Sequence, residues 1–272
     1  MISIQDGAFR PRKRLGQNFL IDRNILLEIV QRAGISPTDI LLEVGPGQGV
    51  LTRELLEAGC LHLYAVELDF RLKDILEGLQ RENHRLSLIW KDAMQLDYAA
   101  LAPFPNKIVA NIPYNITTPV IWKLLPLAPL GLTYHLYMVQ KEAADRLLAA
   151  ADTKERYPLG VALEAMGKVS LVRRVPPTCF RPVPRVDSAV VEIELTHNLH
   201  LMKDGAWSAL LHTGFRQRRK TLLNNLKGFA GRETWEPHLE AAGIDRKIRA
   251  EDLSSEEWLK LYTLSFSPSA SL

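Results

Sequence analysis

Short runs of β-branched and leucine residues recur along the first two thirds of the chain, separated by stretches whose apolar positions repeat at helical spacing. Ile40 to Val44, Leu61 to Glu67, Leu86 to Trp90, Lys107 to Asn111 and Tyr134 to Gln140 read as strands with amphipathic helices between them. That alternation predicts a parallel sheet covered on both faces, with ligands bound beyond the carboxyl ends of the strands near the switch point. Lys168 to Val175 and Ser188 to Leu195 add two later strands. The proline-rich segment between them, Pro176 to Pro184, is too short for a crossover helix, so this last pair is expected to be antiparallel. The fold class is therefore α/β, Rossmann-like and mostly parallel. After Thr196 the strand signals stop, and Ala206 to Leu226, Glu233 to Ala242 and Ser254 to Leu264 look helical, with Ser254 and Glu257 spaced as a capping box. Residues 1–197 are expected to form the sheet domain and residues 198–272 a small helical one.

Composition narrows the class. Hydrophobic residues make up 47% and charged residues 24% of the 272 positions, close to ordinary soluble usage. The most apolar region, Pro119 to Val139, is interrupted by Lys123, Pro126, Pro129, Gly131 and His135, which suits a buried helix, a turn and a strand rather than a membrane span. Cys60 and Cys179 lie far apart without CxxC spacing, so neither a disulfide framework nor a zinc site is expected, and a reducing cytoplasm is the simpler setting. His197 and His200 lack further ligands nearby, and no metal is expected. The net charge of +3 is small, but Arg10, Arg12, Lys13 and Arg14 form one basic cluster and Arg216, Arg218, Arg219 and Lys220 another. The first cluster lacks the apolar segment of a signal peptide.

The candidate chemistry follows the strand ends. Glu43-Val44-Gly45-Pro46-Gly47-Gln48-Gly49 lies between a strand and a helix, where its glycines let a ligand approach the backbone. Its spacing departs from G-x-G-x-x-G, since the third glycine comes one residue early. Glu67 ends the next strand about twenty residues on, where a carboxylate can accept both hydroxyls of a ribose. That feature suits a nicotinamide dinucleotide and S-adenosylmethionine equally. Asp92, after the third strand, can accept from an adenine amine or cap the helix expected to follow. Asn111-Ile112-Pro113-Tyr114 separates the alternatives. An adenine amine is a poor nucleophile because its lone pair is delocalised into the ring. A methylating site should therefore accept hydrogen bonds from both amine protons, which the Asn111 side-chain oxygen and the Ile112 carbonyl can do. Pro113 helps hold that carbonyl, and Tyr114 offers a flat face to an extruded base.

Leu15-Gly16-Gln17-Asn18-Phe19-Leu20, the glycine loop, Asn111 to Asn115, Val186-Asp187-Ser188-Ala189-Val190 and Phe215 to Leu226, in that order, resemble the rRNA adenine dimethyltransferases of the KsgA (RsmA) type. The resemblance implies a class I methyltransferase sheet with Asn18, Leu20, Gly45, Gly47, Glu67, Asp92 and Asn111 lining an S-adenosylmethionine site. Tyr114 and Phe180 would sandwich the target adenine, Phe180 being projected by the proline-rich loop; the alternative for Phe180 is a hydrophobic plug. The implied reaction places two methyl groups on N6 of each of two adjacent adenines near the 3′ end of small-subunit rRNA. A monomer acting on that rRNA or on a small-subunit precursor, without membrane or metal, is the expected working form.

Ile112 stands where leucine is commoner in this type, a form shared with large-subunit rRNA methyltransferases, which keeps a second RNA target open. A catalytically weak assembly factor is the non-enzymatic alternative. Zinc-dependent deamination is excluded by the absence of H-x-E with P-C-x-x-C. A single helix through Phe215 to Phe229 would put Phe215, Leu222, Leu226 and Phe229 on one face and Arg216, Lys220 and Lys227 on a neighbouring stripe, whereas a helix restarting near Arg218 would crowd its cations at the positive end of the macrodipole, where a bound phosphate would relieve them. With Arg218 and Arg219 these cations form the expected RNA contact, because Phe215 to Ala230 contains no acidic residue to pair with them.

Overall fold

The computed structural model describes residues 17–203, 205–229 and 231–266. The basic cluster at residues 10–14 and the first two residues of the Leu15 motif lie outside them. The chain forms two compact units. One is built on residues up to Ala144 with Ser170–Glu194, the other on Asp145–Val169 with the chain from Leu195 onward.

The strands are β1 (Phe19–Leu20), β2 (Ile40–Val44), β3 (His62–Glu67), β4 (Leu86–Trp90), β5 (Lys107–Asn111), β6 (Tyr134–Gln140), β7 (Gly167–Val175), β8 (Phe180–Arg181) and β9 (Ser188–Leu195). Among the described residues, seven of them form one sheet in the order β4-β3-β2-β5-β6-β9-β7. β2 is parallel to both β3 and β5, and β5 is parallel to β6, while β9 runs antiparallel to β6. Strand order thus reverses between β2 and β5, and this switch point is where such a sheet opens a crevice.

Helices α1 (Arg23–Ala33), α2 (Val50–Glu57) and α3 (Lys73–Glu82) cover one face. Their leucines and isoleucines meet Leu41, Leu63, Val109 and Leu136, which alternate along the strands. Asp22 starts α1 by accepting hydrogen bonds from the backbone N–H groups of Asn24 and Ile25. Within the region expected as helix, turn and strand, α4 (Thr117–Leu124), a 3₁₀ turn and β6 follow in that order.

The second unit holds α6 (Pro158–Met166), α7 (Ala206–Gly214), α8 (Leu222–Leu226), α9 (Arg232–Ala242) and α10 (Ser255–Phe266). Its division from the first differs from a single boundary near residue 198. Leu159, Val161, Leu163 and Met166 of α6 are all buried, and a helix apolar on every side needs cover on every side. α6 finds neighbours in α7 and α10. Trp207, Trp235 and Trp258 are fully buried here. The capping box forms, with Ser254 N–H donating to Glu257 Oε2 at 2.9 Å and Glu257 N–H to Ser254 Oγ at 3.2 Å.

The continuous helix expected from Ala206 to Leu226 is corrected. α7 stops at Gly214, whose missing side chain makes room for the Trp258 indole; a Cβ there would meet Cη2 at 2.4 Å. The buried Asn225 amide then donates to the carbonyls of Gly214 (2.6 Å) and Gln217 (3.2 Å), and Thr221 caps the separate five-residue α8. Arg216, Arg218, Arg219 and Lys220 therefore occupy a side-chain-braced loop, and they share no helical stripe with Lys227.

β1 and β8 make a separate antiparallel ribbon in which Leu20 pairs with Phe180 and Phe19 with Arg181. This alternation turns Phe180 fully inward, into the core with Leu26, Ile29, Val175 and Val190. The base-stacking role expected for Phe180 is corrected to a packing one, because a completely covered ring has no face to offer a ligand. Phe180→Ala should cost about 3–5 kcal/mol of stability through the cavity it leaves. Urea unfolding monitored by circular dichroism checks this; an unchanged midpoint would return Phe180 to the ligand wall.

Candidate functional site

The carboxyl ends of β2, β3, β4 and β5 open onto a cavity of about 240 Å3. Asn18, Leu20, Gly45, Gly47, Glu67, Asp92, Asn111, Ile112, Pro113 and Tyr114 all line it, so the structure gathers every predicted pocket residue except Phe180. Arg216, Arg218, Arg219, Lys220 and Lys227 belong to the other unit, where all five are exposed. Arg218 there donates to the backbone carbonyl of Lys154.

The glycine loop shapes the floor. Gly45 has φ +75°, and a Cβ on it would lie 2.9 Å from Cδ of Pro113. Gly47 has φ +58°, and its Cβ would lie 2.7 Å from Cε1 of Phe19. The first absence lets the loop after β2 touch the turn after β5; the second lets the segment of β1 close over the loop. Both backbone conformations disfavour any residue with a side chain.

Glu67 is nearly buried at the end of β3. Its Oε1 accepts from the N–H groups of Leu68 (2.9 Å) and Asp69 (2.8 Å), and its Oε2 from Gly47 N–H at 3.2 Å. Burial raises its pKa, and these three backbone donors oppose the rise. The carboxylate is held in one orientation facing the cavity, as a group that accepts a diol must be. Asp69 below it is held down to about 2 by the Arg71 guanidinium, against a desolvation effect of opposite sign, and it also accepts from Gln17 Nε2 at 2.8 Å. Gln17 thereby ties the start of the described chain to the rim of the site. Asp92 Oδ1 accepts from Met94 N–H at 2.8 Å, which braces the turn after β4 and leaves Oδ2 for a ligand.

At the end of β5, Asn111 Nδ2 donates to the Asn18 carbonyl at 3.3 Å. That bond assigns the amide: the nitrogen is spent on the protein, and Oδ1 is left to accept from a ligand. Ile112 N–H donates to Met138 O on β6 at 3.2 Å, and Pro113 O accepts from Ile116 N–H at 3.0 Å, so the Asn111–Tyr114 turn is fixed on both sides. Tyr114 is half-buried, and its hydroxyl shares a 2.6 Å hydrogen bond with Ser188 Oγ. Two oxygen acceptors on a rigid turn beside a planar ring can hold an exocyclic amine and the base that carries it.

Two residues of the site escaped sequence reasoning. Ser188 sits in the quoted Val186–Val190 motif, but nothing local marks its partner across the sheet. Glu43 lies at the end of β2 beside the glycine loop, is 1% exposed and lines the cavity. Burial pushes its pKa up to about 8, a donor hydroxyl on Thr52 (2.7 Å) opposes this, and neighbouring Glu67 adds to it. Its position just ahead of the glycines was the available signal. Among the described residues no group of three or more His, Cys, Asp or Glu side chains is arranged to hold a metal, and no helix is long and apolar enough to cross a membrane.

Glu43 carries a pH signature. With a folded pKa of about 8 against an ordinary value of 4.5, the native state binds the proton more tightly than the unfolded chain. Stability must then fall as pH rises from about 5 to 8, by at most about 1.4 kcal/mol per pH unit from this group. Glu43→Gln cannot ionise, so its melting temperature relative to the parent should climb across that window. Parallel melting curves from pH 5 to 8 would show that Glu43 is not held protonated.

Comparison with known proteins agrees with this geometry. Residues 8–265 match the ribosomal RNA adenine dimethylase family. The chain is 41% identical over 260 residues to the ribosomal RNA small subunit methyltransferase A of Acaryochloris marina, covering 93% of this chain and 96% of that one. The protein of the same name from Chromobacterium violaceum is 40% identical over 255 residues, covering 92% and 94%. Among solved structures, a dimethyladenosine transferase from Plasmodium falciparum superposes with a TM-score of 0.74 at 26% identity, over 89% of this chain and 95% of that chain. The 23S rRNA methyltransferase ErmE superposes at 0.67 with 25% identity, over 91% and 99%. A switch-point cleft with a buried glutamate and an asparagine-proline-tyrosine turn, on a chain alike over nine tenths of its length to these enzymes, places the protein in the ribosomal RNA adenine dimethylase family.

Proposed function

We propose that this chain uses S-adenosylmethionine to dimethylate N6 of two adjacent adenines near the 3′ end of small-subunit rRNA, acting as a cytoplasmic monomer during small-subunit biogenesis. The observation that carries the reading is the bond from Asn111 Nδ2 to the Asn18 carbonyl, which leaves Oδ1 as the acceptor of a residue that lines the cleft together with Ile112. When bound, S-adenosylmethionine supplies a sulfonium methyl. The donor and acceptor set fits that cofactor: Glu67 accepts the ribose hydroxyls, Asp92 the adenine amine, and the glycine loop admits close backbone approach. Asn111 Oδ1 and the Ile112 carbonyl accept the two protons of the substrate amine and favour its pyramidal form, which localises the lone pair. Tyr114 offers the ring face against which the base rests.

The small-subunit reading is supported by identity of about 40% over nine tenths of the chain to proteins named for the small subunit. Incubating the protein with S-adenosylmethionine and unmethylated small or large subunits, then digesting the rRNA for mass spectrometry, should yield dimethyladenosine from the small subunit alone. Methylation of the large subunit instead would reverse the assignment. Glu67→Ala should weaken S-adenosylmethionine binding at least tenfold by calorimetry, roughly the loss expected for a charged hydrogen-bond acceptor; undiminished affinity would remove Glu67 from the cofactor site.

The loop of Arg216, Arg218, Arg219 and Lys220, with Lys227 beyond it, serves as the phosphate contact in this reading. Replacing Arg216, Arg219 and Lys220 by Gln should reduce the magnitude of the log K versus log salt slope for subunit binding by ~2–3, because each lost phosphate contact removes ~1. Indistinguishable slopes in a filter-binding salt series would eliminate this loop as the contact.

A further inference from the structure

We propose that Ser188 is a positioning residue for the transfer step, acting by locking the plane of the Tyr114 ring. This rests on the reading of Tyr114 as the surface that holds the target base. Tyr114 follows β5, while Ser188 opens β9, and β6 lies between those strands. The side chain of Tyr114 thus reaches across the end of β6 to make its 2.6 Å bond. Ser188 is a rigid anchor. It is fully buried, it pairs in register with Gln140 at the end of β6, and the adjacent Lys141 N–H donates to Asp187 O at 2.9 Å.

A ring used only as an apolar face needs no hydroxyl, and a half-buried hydroxyl must be satisfied at some cost in design freedom. The bond to Ser188 supplies what packing alone does not. A tyrosine ring turns broadly about its Cβ–Cγ axis. Its phenolic O–H, however, lies in the ring plane by conjugation, so a partner fixed in the sheet restricts the ring's tilt as well as its reach. Pro113 holds the backbone end of the same residue through its own fixed φ and its contact with Gly45. The ring is therefore held at both ends, and a base lying on it takes its orientation relative to Asn111 from a plane set by β9.

The test compares Ser188→Ala, Tyr114→Phe, their combination and Tyr114→Ala in steady-state methylation of unmethylated small subunits, with calorimetry for S-adenosylmethionine. Ser188→Ala and Tyr114→Phe should each lower kcat about tenfold, as expected for a misplaced reacting group, with unchanged KM for S-adenosylmethionine. The double variant should be no slower than the worse single one, because both remove the same bond. A double-variant loss equal to the product of the two single losses overturns the proposal, and so does a parental kcat for Ser188→Ala. Should Ser188→Ala fail to fold, Tyr114→Phe decides alone: a parental kcat there shows that the hydroxyl does not position the ring. Tyr114→Ala separates this from the wider reading. If it retains parental kcat, Tyr114 does not hold the base at all; if it is crippled while Ser188→Ala is not, only the positioning role falls.

Discussion

Gly45 and Pro113 meet at the switch point of the sheet with no space for a side chain between them. The loop after β2 and the turn after β5 belong to adjacent parallel strands, and parallel strands deliver their carboxyl ends to the same edge. Their direct contact makes one wall from two segments separated by more than sixty residues of chain, roughly the span of two βα repeats. That contact joins two of the segments that line the cavity. The glycine loop donates through Gly47 N–H to Glu67, and the proline turn carries Asn111 and Tyr114. A larger residue at position 45 would separate the two halves of the cleft and move Asn111 and Ile112 away from Glu67.

The charges of the cleft are governed by the same crowding. Glu43 and Glu67 both end strands at this edge and both are buried, yet they are treated differently. Glu67 has three backbone donors, which stabilise its ionised form against burial. Glu43 has one hydroxyl donor and a carboxylate for a neighbour, and it keeps its proton near neutral pH. Asp92 spends one oxygen on its own turn and presents the other. An asparagine oriented by a carbonyl adds a further acceptor to the same cavity.

In the second unit, packing decides where the basic residues go. Trp258 against Gly214 and the Asn225 amide on two loop carbonyls break the helical path between α7 and α8. Arg216, Arg218, Arg219 and Lys220 are thereby exposed on a braced loop and not along one helix.

Read from the amino acids alone, the sheet emerges almost residue for residue, because buried parallel strands are short apolar runs and the glycines, Glu67, Asp92 and Asn111 fall at their ends. The chemistry of the Asn111–Tyr114 turn is likewise local: a proline, a carbonyl and two side chains adjacent in sequence. The capping box at Ser254 and Glu257 is local for the same reason. Phe180 and the Phe215–Phe229 segment were not decided locally. An aromatic between prolines suits a stacking loop or a core plug equally, and only the pairing of β1 with β8 turned it inward. Apolar spacing from Phe215 onward is helical throughout, and it was broken by Trp258, brought in from elsewhere in the second unit, and by the segment's own Asn225 folding back on two loop carbonyls. The grouping of α6 with the C-terminal helices and the bond from Ser188 to Tyr114 share that character. Local spacing specified the elements and the acceptors at their ends; long-range packing specified which side chains those elements cover and which they leave facing the ligand.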